Sequence, residues 1–173
     1  TIIKILITYF SQTGNTEKIA KAIHDEISHD CELKKIDDIT PADCTGADLL
    51  FVGSPIHAGG LAEQVNKFVS ELPESSGGAV AGFVTHAGDI YDKKNFETGL
   101  KNLEDGSKSK GYNFLGCYNC QGFLTPELHD MIKQAQNVPD DEWETLINGM
   151  KEHPNTEDEV NAKTFAREIL GKI

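Results

Sequence analysis

At 173 residues the chain has room for one domain with a buried core of its own. Its 38 % hydrophobic and 25 % charged residues are ordinary for a soluble globular protein. With 28 acidic against 16 basic residues, and Arg167 as the single arginine, the net charge of −12 argues against a nucleic-acid or anionic-lipid binder, because both need a basic face.

The elements alternate from the start. Ile2–Phe10 is rich in β-branched residues and reads as a buried strand. Thr16–Ser28 follows as a helix with Ile19, Ala20, Ile23 and Ile27 on one face. Glu32–Ile36 alternates like an edge strand, and the short link to Ala47, with Pro41, allows a helical turn or two. Asp48–Gly53 and Ala79–Thr85 are further buried strands, separated by a helix over Leu61–Leu72. A helix over Tyr91–Glu104, a strand over Tyr112–Cys117 and a last helix over Glu157–Leu170 complete the series. Strands joined by helices imply right-handed crossovers, hence a five-stranded parallel sheet with helices on both faces. The segment from about 121 to 155 is extra, with two short amphipathic patterns (Leu128, Met131, Ile132, Ala135; Trp143, Leu146, Ile147, Met150) separated by Pro139 and Asp140. It reads as a helical insertion after the fifth strand, within a single domain spanning 1–173.

Ligands of an open parallel sheet bind at the carboxyl ends of its strands. Three strand exits have the composition for it: Ser11–Thr16, Ser54–Gly60 and Thr85–Tyr91. Ser11-Gln12-Thr13-Gly14-Asn15-Thr16 offers hydroxyls, an amide and peptide N–H groups at a helix start, a dipolar setting for an anion. It has no lysine, so it is not the loop that cradles a nucleoside triphosphate with magnesium. A helix cap at Thr13 or Thr16 accounts for the same composition.

The stretch Thr8-Tyr-Phe-Ser-Gln-Thr-Gly-Asn-Thr16 resembles the flavodoxin signature Ser/Thr-x-Thr-Gly-x-Thr, and the helix after it matches too. Gly53-Ser-Pro-Ile-His-Ala-Gly59, Thr85-His-Ala-Gly-Asp-Ile-Tyr91, Cys117–Phe123 and the ending His153–Arg167 are similar to segments of that family in the same order. The resemblance implies a flavodoxin-like three-layer sandwich with strand order 2-1-3-4-5 and non-covalent FMN. It places the FMN phosphate in Ser11–Thr16. The isoalloxazine would lie between Ser54, Pro55, Ile56, His57, Ala58 and Gly59 on one side and His86, Ala87, Gly88, Asp89 and Tyr91 on the other. Many flavodoxins carry a Trp in the second loop where Ile56 and His57 stand here; Tyr91 is the remaining aromatic candidate for stacking. His57 reads as a contact to the flavin or a phosphate or as a solvated loop residue, and His86 as a ring contact or a hydrogen-bonding support. Tyr91 reads as a stacker or a packing residue at a helix start.

The implied function is electron shuttling between redox partners, with the flavin carrying the chemistry and no catalytic side chain required. An NAD(P)H-dependent FMN or quinone reductase on the same fold is the alternative, since the insertion could build a substrate pocket. A flavin-free binding module is a third. The acidity favours basic redox partners, and a monomer or weak dimer is expected. The N-terminal segment lacks the marks of a signal peptide. A cytoplasmic setting, with Cys31, Cys44, Cys117 and Cys120 as thiols, is therefore the expectation. Cys117-x-x-Cys120 closes a strand, unlike a redox pair that opens a helix, and no second Cys-x-x-Cys completes a zinc site.

Overall fold

The computed structural model describes residues 2–57, 60–87 and 89–173, with the side chains of residues 89–95 and 136 outside that description. Five strands form the parallel sheet: β1 (Ile5–Tyr9), β2 (Cys31–Lys35), β3 (Leu49–His57), then, past a two-residue β4 (Gly60–Leu61), β5 (Ala79–His86) and β6 (Asn113–Gln121). Their order is β2-β1-β3-β5-β6, which is the expected arrangement. The additional β4 pairs antiparallel with the tip of β3, Ile56 opposite Leu61 and His57 opposite Gly60. The second exit is therefore not a free loop from Ser54, because β3 runs on to His57 and turns back as a hairpin.

Period-two alternation of apolar residues on each strand builds two cores. Ile5, Ile7, Phe51, Ala81 and Phe83 face α1 (Asn15–Glu26) and α6 (Thr156–Leu170), whose Ile19, Ile23, Ala162, Ala166 and Ile169 cover them. Leu6, Leu50, Val52, Val80 and Val84 face α2 (Glu63–Ser70) and α3 (Asp89–Ser109) through Val65, Phe68, Val69 and Leu103. Strands β1, β3 and β5 are buried throughout their shared register, which is why they read as continuous apolar runs. Edge strand β2, half exposed, alternates instead.

Boundaries differ where local sequence does not decide them. The link after β2 forms two 3-10 turns, Ile36–Asp38 and Pro41–Cys44; in the second, Thr40 and Asp43 make a reciprocal cap. Strand β6 runs four residues beyond Cys117. It carries a bulge opposite Val80 and Ala81, where Gly116 has φ 140°. The insertion is two helices, α4 (Pro126–Gln136) and α5 (Asp140–Met150), leading to α6. Among the described residues no helix is long and apolar enough to cross a membrane.

Candidate functional site

The exits of β1, β3 and β5 and the segment after β6 surround one cleft at the carboxyl edge of the sheet. Its floor is the turn between β1 and α1. Gly14 is the residue before α1 and has φ 90°, a left-handed conformation that glycine adopts without steric cost. Neither Thr13 nor Thr16 caps the helix, so the cap account of this loop is corrected. Ser11 Oγ takes that role, accepting from Gly14 N at 3.1 Å and from Glu17 N at 3.4 Å. The Thr16 hydroxyl is buried and pairs with Thr85 Oγ1 at 2.9 Å, tying the floor to β5. Among the described residues, the N–H groups of Gln12, Thr13, Asn15 and Thr16 have no protein acceptor. These are the orphan donors of a turn and helix start. They stand beside the positive end of the α1 dipole.

Asn15 fixes the opposite wall. Its Nδ2 donates to Phe123 O at 2.8 Å, bridging α1 to the chain leaving β6. Gly122 is packed against that side chain: a Cβ there would stand 2.6 Å from Asn15 Nδ2. Gly122 N in turn donates to His86 O, and Gln121 Nε2 to Ala87 O, both at 2.8 Å, so the exits of β5 and β6 are cross-linked.

Pro55, Ile56 and His57 of the hairpin line the cleft. Ser54 does not: it is buried, donating to Pro55 O at 2.7 Å and accepting from Ala62 N at 2.9 Å, and so holds the hairpin shut. His57 stands edge-on to Phe10, with ring centroids 6.2 Å apart, and partial burial pulls its pKa below the ordinary 6.5. His86 is 7 % exposed and packs on Phe96, with centroids 4.9 Å apart. Its Nε2 pairs with Asn119 Oδ1 at 3.0 Å, while Nδ1 is buried without a partner. The hydrogen-bonding account of His86 therefore has a named partner, and His86 and Ala87 both line the cleft. Ala58, Gly59 and Gly88 lie outside the described residues, as do the side chains of Asp89 and Tyr91, so the aromatic stacking expected of Tyr91 does too.

Phe123, Leu124, Leu128 and Ile132 complete the lining. The stripe on α4 reads in the sequence as a packing face of the insertion, and its Leu128 and Ile132 edge the cleft. The spacing marked an apolar face, and only the fold says what that face meets. No Asp, Glu, Lys or Arg occurs among the described lining residues. No group of three or more potential metal ligands occurs among the described residues either.

Cys117 and Cys120 belong to different cores. Cys120 is buried with the α1–α6 cluster and Cys117 packs on the α2–α3 cluster. An odd separation along a strand puts side chains on opposite faces. Burial raises both thiols, Cys120 to about 12.

Residues 6–167 match the family model described as a flavodoxin domain. The chain belongs to that family. An uncharacterized protein of Methanocaldococcus jannaschii is 34 % identical over 169 residues, covering 96 % of this chain and 98 % of that protein. The crystal structure of oxidised flavodoxin 2 from Bacillus cereus superposes with a TM-score of 0.71 at 21 % identity, over 98 % of this chain and 99 % of that one. A Fusobacterium nucleatum flavodoxin bound to flavin mononucleotide matches with a TM-score of 0.57 at 17 % identity, over 71 % of this chain and 79 % of that one. For this flavodoxin-domain protein, four open N–H donors at a helix start suit a phosphate monoester. Uncharged walls of Pro55, Ile56, Phe123 and Leu124 suit a planar, largely apolar ring.

Proposed function

We propose that this flavodoxin-domain protein binds FMN without a covalent link and carries electrons between redox partners. The turn Ser11–Thr16 would hold the phosphate, chiefly through the N–H groups of Gln12, Thr13, Asn15 and Thr16. The ring would lie between the hairpin residues Pro55, Ile56 and His57 and the β5 exit at His86 and Ala87. Ala58, Gly59, Gly88, Asp89 and Tyr91 belong to the same proposal by family resemblance. Bound flavin supplies one- and two-electron chemistry; the chain supplies binding, exclusion of water and the local field. The observation that carries the reading is the set of four unpaired donors at the floor of a cleft in which no described lining residue carries a formal charge.

A charge-assisted hydrogen bond contributes roughly 1.5–3 kcal/mol. Losing a phosphate held by several should therefore weaken binding at least ~100-fold, which is about 2.7 kcal/mol. Titration of apoprotein with FMN and with riboflavin, read by quenching of flavin fluorescence, tests this; equal affinities would refute the phosphate assignment.

The second reading, an NAD(P)H-dependent FMN or quinone reductase, draws support from the insertion, because α4 sets Leu128 and Ile132 against the cleft where a second ring could lie. Mixing FMN-loaded protein with NADPH separates the two. A loaded protein that leaves NADPH unoxidised supports the carrier, and rapid oxidation supports the reductase. The charge of −12 favours a basic protein as the electron donor or acceptor.

A further inference from the structure

The insertion borders a second, half-open cavity of about 310 Å³ beside the cleft at the sheet edge. Phe123 and Leu124 form the partition, lining both spaces. Beyond them the second cavity is bounded by His129 of α4, by Ile147 and Met150 of α5, and by Lys151 at the end of α5. Met150 is 1 % exposed, so this wall is part of the packed structure and not a surface dimple.

Charge distinguishes this cavity from its surroundings. Between Glu127 and Val160 ten acidic residues face only Lys133 and Lys151, a balance of −8. Lys133 is paired with Asp140. Among the described residues Lys151 has no carboxylate partner, and no carboxylate lines the cavity that it borders. A segment that is acidic almost throughout thus presents its one unpaired cation at the mouth of an apolar space. Apolar walls attract an apolar body, and an unpaired ammonium at the rim selects an anionic group on it.

We propose that this second cavity binds a small organic carboxylate with a planar apolar body. Lys151 meets the carboxylate at the mouth, and the body lies against Phe123, Leu124 and Ile147. The assignment stands apart from the flavin reading and holds whether or not the neighbouring cleft takes FMN.

Trp143, the only tryptophan of the chain, provides the readout. Its ring meets His129 edge-on with centroids 6.0 Å apart, and His129 lines the cavity. The probe is 2-naphthoate, with the uncharged 2-naphthamide as its partner. Saturable quenching of Trp143 by 2-naphthoate is expected, with a dissociation constant below about 1 mM. Lys151→Gln should weaken the naphthoate about three- to tenfold, as expected for one partly solvated charge-assisted contact, and leave the naphthamide unchanged. Ile147→Phe, which fills the cavity, should abolish binding of both; Lys151→Glu, at an exposed position, should give the larger loss for the carboxylate alone. Saturating FMN should leave the naphthoate constant within about twofold. Displacement of naphthoate by FMN would overturn the proposal by placing the probe in the flavin cleft. Absence of saturable quenching would overturn it, as would equal effects of Lys151→Gln on the two probes. So would a dimer, seen by sedimentation, that Ile147→Phe dissociates while naphthoate does not bind.

Discussion

Gly122→Ala tests how the cleft is held together. The new Cβ would lie 2.6, 2.9 and 3.1 Å from Nδ2, Cγ and Cβ of Asn15. The first two are far inside van der Waals contact, so Asn15 must rotate and give up its 2.8 Å bond to Phe123 O. A lost hydrogen bond with a partly buried carbonyl left behind costs about 1–2 kcal/mol. The forced rotamer adds about 0.5–1.5 kcal/mol. Removing a glycine from the unfolded chain returns about 0.4–1 kcal/mol. The net expectation is a loss of about 2 kcal/mol, or roughly 4–8 °C in Tm for a chain of this size. Asn15→Ala removes the same bond without the clash and should cost about 1 kcal/mol. In that background only the 3.1 Å approach to Cβ survives, which a few tenths of an ångström relieve. Gly122→Ala should then be nearly neutral, giving a coupling of about 1–2 kcal/mol across the double-mutant cycle. Urea unfolding followed by far-UV circular dichroism measures all four corners. Additivity within about 0.5 kcal/mol would refute the bridge. On the flavin reading, FMN affinity should fall in Gly122→Ala, because the Asn15 N–H belongs to the phosphate turn, and should recover in part in the double variant.

Folding lowers the pKa of His57, so the unfolded chain takes up that proton more readily. The linked stability is complete above pH 6.5 and is lost as pH falls from there through the lowered folded value; His57→Gln should flatten the drop in urea midpoint between pH 7.5 and pH 5. Cys117 and Cys120 face opposite cores and have raised thiol pKa values, so native protein under mild oxidation should form no disulfide between them. A thiol reagent should count Cys120 only after denaturation and react slowly with half-buried Cys117; rapid native labelling of both would contradict their packing. With FMN bound, the second electron should enter at a potential below that of free FMN. A shift of about 200 mV corresponds to a preference of roughly a thousandfold for the one-electron-reduced over the two-electron-reduced flavin, at ~59 mV per tenfold. A redox titration with the second step at or above the free value would refute this.

The strand order was legible because β1, β3 and β5 are buried on both faces and therefore read as apolar runs, while exposed β2 reads as an alternating edge. The hairpin was not. Ser54-Pro55-Ile56-His57 carries a proline and few strand formers, and its extended state rests on the Ser54 hydroxyl and on pairing with Gly60 and Leu61. Such pairing is a tertiary fact. The Ser11–Thr16 segment was legible from its composition as a hydroxyl-rich turn opening a helix. The division of labour within it was not, because Ser11 and Thr16 have the same chemistry and only the approach of Thr85 decides which hydroxyl is spent inside the protein. Leu128 and Ile132 show the same limit: periodicity identifies an apolar face but not its neighbour.

The placement of charge joins these observations. The segment from Glu127 to Val160, the insertion together with the start of α6, holds −8 of the chain's −12, yet neither sign of formal charge appears among the described residues lining the cleft. A lysine in the phosphate turn would bind the phosphate tightly, but its field would also reach the ring and stabilise the reduced, anionic flavin. Peptide dipoles act differently. Their influence falls off within about one helical turn, so four N–H groups at the start of α1 can hold a phosphate while leaving the far end of the cleft nearly unaffected. If the cleft holds FMN, a dipolar floor beneath apolar walls, in an acidic chain, would separate the affinity for the cofactor from its potential. On the flavin reading, a loop with no cation is what a low-potential carrier requires, because the phosphate would anchor the flavin while the surrounding negative charge would disfavour its reduction.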